Sequence, residues 1–371
     1  MTTKTKIGGA FVDKPKAVKI RGVFYEMGNA FSILSPYHAV NWDTDNNYKT
    51  QFHTHTSETP NRNPSVPDNI QAHKEVGYKA LAISDKPNKI TKWSDFGVDA
   101  EEEGMTEIPN EEPAHTRVHT LKPFTDWVST SMSFNDYIQK VGEEGGLIII
   151  THPVGPSGSS EFSDYDPPTT FEHQVKTYPH VVGFDIIEGL FELNTVRPTG
   201  YTGFIDGGID DYLVQIGRED DLRPFLTGTS DWHLTSDGEE LREGGGVDIT
   251  WSELLAPDRS VASLKEATIK GRMFWAYSPD GSDAAKINKV NMIGQTIALE
   301  IEGDYDEVRW VYNKETVKTG ISYSASDLQE GQTYIRAEVW KYAPDTQWRM
   351  ASGGYTKASV IGTQPFYFES N

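Results

Sequence analysis

Residues 48–55 read YKTQFHTH, a short alternating segment that ends in two histidines spaced two residues apart. The alternation predicts a β-strand, and residues i and i+2 of an extended chain point to the same side. The segment therefore predicts a strand that presents His53 and His55 together at its carboxyl end. Such a pair can reach one cation, although two half-exposed surface histidines are the alternative interpretation.

Six further apolar segments follow, separated by polar stretches with helical spacing. The predicted strands are ALAISD (80–85), EIPNEE (107–112), GLIIITHP (146–153), VVGFDIIEG (181–189), RPFLTGTSDWH (223–233) and RMFWAYSP (272–279). Helices are predicted at 66–78, 133–144, 208–219 and 260–270, the second with a Ser-x-x-Asp capping pattern. Strands that alternate with helices are typical of an α/β fold with a parallel sheet or barrel.

The pattern changes at two places along the chain. Residues 1–47 contain two short apolar runs and are interpreted as an N-terminal extension. Residues 48–282 form the α/β part. Residues 283–371 show short alternating strands with recurring turn residues, which predicts a small all-β sandwich-like domain.

The composition limits the classes of partner. Lys and Arg number 34 against 55 Asp and Glu, and the net charge of −21 disfavours nucleic acid and anionic membranes as partners. The absence of cysteine leaves imidazole and carboxylate groups to hold any metal. We expect a soluble protein, since no apolar run has the length of a bilayer span or of a signal-peptide core. Both the cytoplasm and a larger extracellular or virion assembly are compatible with this pattern.

Other candidate ligands also follow predicted strands, where the sites of α/β barrels assemble. His152 follows a very apolar strand, and Asp231 and His233 repeat the two-residue spacing at the end of another. A lone histidine such as His152 is more typical of a capped or solvated residue at a strand end. The shared position of these residues at strand ends favours a common site.

A carboxylate pair and two histidines form the last candidate group. Glu111 and Glu112 follow EIPN at the end of the predicted strand 107–112, and a carboxylate there can bridge two divalent cations. His115 and His119 come next, and only one of them needs to be a ligand. A solvated acidic turn is the alternative interpretation.

The order of the motifs HTHTS, ALAISD, IPNEE followed by HTL, THP, IEG and SDWH resembles the PHP (polymerase and histidinol phosphatase) superfamily of metal-dependent phosphoesterases. The resemblance covers roughly residues 48–280. It implies a distorted (β/α)7 barrel that holds two or three divalent ions at the carboxyl ends of its strands. The ligands that it implies are His53, His55, Glu112, His119, His152, Asp231 and His233, with His115 as the rival of His119.

The sequence departs from the family pattern at two positions. Pro60 stands where the family has an acidic or histidine ligand, and Lys86 replaces the histidine of a Thr-Asp-His motif. Both changes remove ligands of a third metal, so we predict a two-metal site with zinc or manganese, or alternatively iron. Lys86 would supply a fixed ammonium for a phosphate oxygen. The alternative is a solvated lysine beside a decayed site.

The resemblance implies hydrolysis of a small phosphate ester or a phosphate-containing glycan by metal-activated water. His233 is the preferred proton-transfer residue, Asp85 is the other candidate, and Lys86 is the candidate phosphate-binding residue. The alternative function is a structural or binding protein that retains a metal-stabilised barrel. Such a protein would attach to an assembly partner through its N-terminal arm or its aromatic-rich C-terminal domain. Amide or other non-phosphorus hydrolysis by the same metals is a third possibility.

Overall fold

The computed structural model describes a mixed α/β, strand-rich protein. The described residues are 4–7, 10–13, 17–20, 23–26, 31–59, 63–86, 89–115, 118–151, 174–188, 225–230, 232, 247–278, 285–313, 315–342 and 358–370. Side chains are described for these residues except 4–31, 114, 115, 118, 186–188, 358 and 370.

The α-helices are few in the described residues. Besides a helical turn at 174–177, they are α1 (Val66–Glu75), α2 (Phe134–Glu143) and α3 (Val261–Lys270). Each begins after a serine whose side chain accepts a hydrogen bond from the backbone amide three residues later. These helices confirm three of the four predicted ones, and the fourth, at 208–219, lies outside the described residues. None of these helices has the length and apolar character needed to cross a bilayer.

The strands carry most of the fold. In chain order they are β1 (Lys4–Ile7), β2 (Ala10–Asp13), β3 (Ala17–Ile20), β4 (Val23–Glu26), β5 (Phe31–Leu34), β6 (Asn46–Gln51), β7 (Ala80–Leu81), β8 (Thr106–Glu107), β9 (Ala114–His115), β10 (Val118–Leu121), β11 (Ile148–Ile150), β12 (Val181–Glu188), β13 (Phe225–Thr229), β14 (Thr250–Ala256), β15 (Met273–Tyr277), β16 (Lys286–Ile293), β17 (Thr296–Glu302), β18 (Glu307–Tyr312), β19 (Glu315–Thr319), β20 (Ser322–Ser324), β21 (Tyr334–Tyr342), β22 (Ala358–Gly362) and β23 (Phe366–Ser370).

The largest sheet has the strand order β19-β18-β21-β22-β15-β14-β6-β7-β8. Strands β6, β7 and β8 are parallel, whereas β14 runs antiparallel between β6 and β15. Strand β23 pairs with both β21 and β5. The sheet therefore continues from the segment 48–282 into 283–371, and the domain boundaries stay predictions.

A second sheet has the order β13-β12-β11-β10-β9, with β11, β12 and β13 parallel. Within the described residues, it and the largest sheet are separate and open. The predicted (β/α)7 barrel is therefore not confirmed, although the α/β class is. One reason is β14, which joins the largest sheet antiparallel and which the sequence pattern did not predict.

Those aromatic residues of the C-terminal segment that the structure describes pack mainly inside the protein. Trp310 is fully buried, and its ring lies 5.5 Å from Tyr323 and 6.4 Å from Phe366 between centroids. Trp340 is also buried and stacks on Tyr342 at an interplanar angle of 16°. These rings stabilise a core and do not form an open sugar-stacking platform.

Helix α1 carries His73, a fully buried histidine. Burial lowers the pKa of its imidazole to about 4. Its ring lies 4.9 Å from Tyr78 and 5.8 Å from Trp232 between centroids. The Nδ1 atom lies 2.8 Å from the Asn69 carbonyl oxygen. The folded protein therefore holds this imidazole neutral.

We expect the free energy of unfolding to fall as the pH drops from about 6.5 towards about 4. The folded pKa of His73 lies below that of the unfolded chain, so the unfolded state takes up the proton first. One pKa unit corresponds to about 1.4 kcal/mol, so the lowering of the His73 pKa from 6.5 to about 4 changes the free energy of unfolding by roughly 3 kcal/mol over this range. Urea unfolding of the wild type and of His73→Gln across this range measures the effect. Equal pH slopes in the two proteins would contradict it.

Candidate metal centre

The HTH segment continues directly from β6. The backbone amide of His53 donates to Gln51 Oε1 at 3.1 Å. Asn69 of α1 donates to Thr54 Oγ1 at 3.0 Å and to the His55 carbonyl oxygen at 2.8 Å. The two imidazole rings lie 5.3 Å apart between centroids. The extended backbone thus places both histidines at one site, as the two-residue spacing predicts.

The NEE segment lies opposite these histidines. The side-chain amide of Asn110 donates to the backbone carbonyl oxygens of Phe52 at 2.8 Å and Ala82 at 3.3 Å. These bonds fix the chain after β8 against the ends of β6 and β7. Glu112, two residues later, is thereby held beside the HTH segment.

The carboxylate of Glu112 is the centre of the site. Its Oε2 atom lies 3.0 Å from His53 Nε2 and 2.9 Å from His55 Nε2, and all three side chains are fully buried. One donor atom from each residue lies within 4.8 Å of the other two. Two imidazole nitrogens and a carboxylate are a donor set that suits zinc, manganese or iron, so these residues fit a divalent metal ion.

Two less buried groups complete the contacts of this carboxylate. Lys86 Nζ lies 2.9 Å from Glu112 Oε2, and His119 Nδ1 lies 2.6 Å from Oε1. Their side chains are 24% and 27% exposed, respectively. The site therefore has a buried floor and a partly open mouth with a lysine and a histidine.

His53 is supported from behind by Asp185, a buried residue that sequence reasoning missed. Thr151 Oγ1 lies 3.0 Å from His53 Nδ1 and donates to Asp185 Oδ2 at 2.7 Å. Burial raises the pKa of Asp185, and the His53 charge and the threonine hydroxyls oppose that rise. An aspartate within the apolar strand VVGFDIIEG was the available signal, because a charge inside such a strand needs partners.

His55 has a matching arrangement. Thr59 Oγ1 lies 3.3 Å from His55 Nδ1 and donates to Asp85 Oδ1 at 2.8 Å. Asp85 also accepts hydrogen bonds from the Thr56 amide and from the hydroxyls of Thr56 and Thr91. Four donors occupy this buried carboxylate, which favours a positioning role over proton transfer to a leaving group.

The remaining predicted ligands are less fully described. His152, Asp231 and His233 lie outside the described residues, and the side chain of His115 is likewise undescribed. Their assignment stays a prediction.

The described neighbours of two of these ligands contact the HTH segment. Ser230 Oγ lies 3.2 Å from the His53 carbonyl oxygen, and Trp232 accepts from the His55 amide at 3.4 Å. These two residues flank Asp231 in the sequence. Thr151, which precedes His152, contacts His53 as described above. The segments that carry Asp231 and His152 therefore meet the HTH segment.

Beside the centre, Glu111 and Lys122 form a fully buried ion pair with a separation of 3.0 Å. Ser129 donates to Glu111 through its hydroxyl at 2.5 Å and its amide at 3.1 Å. Lys122 also donates to the Trp127 carbonyl oxygen. Burial lowers the pKa of Lys122, and Glu111 opposes that change. This pair fixes the backbone next to Glu112.

Comparison with known proteins gives a distant likeness. A two-domain protein from Bacteroides vulgatus, described as containing a predicted PHP-like metal-dependent phosphoesterase, aligns with 94% of this chain and 92% of its own. The identity is 13% and the TM-score 0.47, so the likeness by itself decides neither family nor activity. No family model and no curated protein matches the chain.

Proposed function

We propose that the chain is a metal-dependent phosphoesterase that acts on a small phosphate ester or a phosphate-containing glycan. The observation that carries the proposal is the convergence of His53, His55 and Lys86 on one buried carboxylate, that of Glu112. Two imidazoles and a carboxylate supply metal ligands, and the lysine supplies a positive charge for a phosphoryl oxygen. The net charge of −21 favours a small substrate over a long nucleic acid.

In this proposal the site holds two divalent ions, zinc or manganese. Bound divalent ions supply Lewis-acid activation of water at neutral pH. His53, His55 and Glu112 hold the ions from the buried floor, together with His152 and Asp231.

The residues at the mouth meet the substrate. Lys86 has a flexible stem and a partly exposed ammonium, so it is placed to orient the phosphoryl group. His119, which is partly exposed at the same carboxylate, helps to hold ions or substrate there. His233 donates the proton to the leaving group.

The test is phosphate release from a panel of small phosphate monoesters and diesters by zinc- or manganese-loaded protein. We expect hydrolysis by the wild type and a decrease in kcat/KM of roughly 10- to 150-fold in Lys86→Met. A hydrogen bond to a charged group is worth about 1.5–3 kcal/mol, which corresponds to this range. Metal content should stay the same, because an ammonium is not a metal ligand.

Lys89→Met is the matched control. Lys89 lies three residues further along and pairs with Glu58, so its loss removes the same charge without touching Glu112. We expect activity close to that of the wild type in this variant. Metal retention without hydrolysis of any phosphate ester would refute the phosphoesterase proposal and favour the structural alternative. Equal losses in both lysine variants would refute the specific role of Lys86.

A further inference from the structure

Each histidine of the HTH segment contacts a threonine hydroxyl through Nδ1, the ring nitrogen that does not face Glu112. The separations are 3.0 Å for His53 and Thr151 and 3.3 Å for His55 and Thr59. The Nε2 atoms of both rings lie about one hydrogen-bond length from Glu112 Oε2, at 3.0 and 2.9 Å. The two rings therefore share one orientation between a hydroxyl and a carboxylate.

The direction of the threonine hydrogen bonds defines whether Nδ1 of each ring carries a hydrogen. A hydroxyl has one hydrogen, and Thr151 donates it to Asp185 at 2.7 Å while Thr59 donates to Asp85 at 2.8 Å. Each hydroxyl then presents a lone pair to its histidine, and Nδ1 must carry a hydrogen to complete the bond. Nε2 of His53 lies 3.0 Å from Glu112 Oε2, where a bound metal would replace its proton, so Nε2 is the ring atom left to act as a metal ligand.

Both aspartates are themselves held in place. Asp185, which is 2% exposed, also accepts hydroxyl hydrogen bonds from Thr227 at 2.6 Å and Thr229 at 2.8 Å. These two threonines lie on β13, so the neighbouring strand fixes the carboxylate of β12.

The support of His55 is equally fixed. Thr59 Oγ1 accepts the Lys86 backbone amide at 2.9 Å, which confirms the acceptor role of this oxygen and leaves its hydrogen for Asp85. Asp85 is fully buried and is bound by Thr56 and Thr91 in addition. Neither carboxylate can turn away from its threonine without breaking other bonds.

We propose that Asp185 and Asp85, acting through Thr151 and Thr59, are positioning residues that hold the Nδ1–H groups of His53 and His55 and thereby direct Nε2 of each ring to the metal. The two supports are separate in sequence and in strand, yet each ends in a buried aspartate. The inference rests on the proposed metal site. Outer hydrogen bonds of this kind are worth about 10- to 100-fold in metal affinity.

The test compares Thr151→Val with Thr151→Ser. Valine keeps the branched shape and removes the hydroxyl, whereas serine keeps the hydroxyl. Nitrogen-15 NMR of histidine-labelled, zinc-loaded protein reads which ring nitrogen of His53 binds zinc, and competition with a zinc chelator reads the affinity for Zn²⁺. We expect coordination through Nε2, with hydrogen on Nδ1, in the wild type and in Thr151→Ser, and a mixture of coordinating nitrogens in Thr151→Val with about 10- to 100-fold weaker zinc binding.

The same pair of changes at Thr59 tests His55 independently. Wild-type-like coordination through Nε2 and a zinc affinity within about twofold in both valine variants would overturn the inference, even if their stability fell. Failure of the wild type to bind zinc would refute the proposed metal centre and this inference with it. The first outcome leaves the proposed function standing, so the two failures are distinguishable.

Discussion

Glu112→Gln should reduce retained metal from about two ions per chain to nearly none and should abolish phosphate release. The substitution keeps the side-chain volume but removes the charge that faces His53, His55 and Lys86. Structural zinc sites with four ligands bind with roughly 10–16 kcal/mol, so one ligand is worth about 3 kcal/mol, or more than 100-fold in affinity. Elemental analysis after removal of loosely bound ions measures the loss.

Glu107→Gln is the control for this prediction. Glu107 lies on β8, five residues before Glu112, and accepts a hydrogen bond from the Trp93 amide at 3.0 Å. We expect its metal content to match that of the wild type. Full metal retention in Glu112→Gln would show that this carboxylate is not a ligand, and the proposed centre would then be wrong.

Lys122→Met should lower the free energy of unfolding by roughly 3–5 kcal/mol. Both members of the Lys122–Glu111 pair are fully buried, so the substitution leaves the Glu111 carboxylate without its cation in a medium that solvates charge poorly. The two hydrogen bonds from Ser129 remain, but they cannot neutralise the charge. Denaturant unfolding at neutral pH measures the change.

The double variant Lys122→Met, Glu111→Gln should recover a large part of this loss. It removes the uncompensated charge, and the neutral side-chain amide that replaces the carboxylate can still bond to Ser129. A loss below about 1 kcal/mol in the single variant would contradict the prediction. Equal losses in the single and double variants would show that packing, rather than charge, is responsible.

The sequence predicts the strands that lead to His53, Lys86 and Glu112, which are β6, β7 and β8, but it does not predict β10, which carries His119. It does not predict β14, which reads TWSELLA and is buried at every residue. The buried Ser252 hydroxyl donates to the Gly228 carbonyl oxygen at 3.1 Å, and Glu253 accepts from the Trp251 ring at 3.0 Å. Because their polar groups are hydrogen-bonded, such side chains can be buried, and the strand then lacks the apolar–polar alternation that would identify it from the sequence.

The candidate site is predictable where ligands lie close together in sequence or follow strands. The HTH spacing predicts the juxtaposition of His53 and His55, and the resemblance supplies Glu112 and His119. The threonines were missed because each is an ordinary residue until tertiary contacts bring it behind a histidine, whereas Asp185 did carry a signal as a charge within an apolar strand. Likewise, the sequence suggests that Lys122 is solvated, and only the structure shows that it is buried in an ion pair with Glu111.

The pairing of β5 with β23 bears on how the chain acquires its structure. Leu34 lies opposite Tyr367, and β6 near the start of the chain pairs with β14, where Thr50 lies opposite Ser252. Contacts between such distant residues form late, because a long loop must close before the pairing stabilises it. During synthesis β6, which leads to His53, therefore emerges long before its partner β14, although its other partner, β7, follows it closely. We expect slow folding and a period in which unpaired strand edges need protection from aggregation.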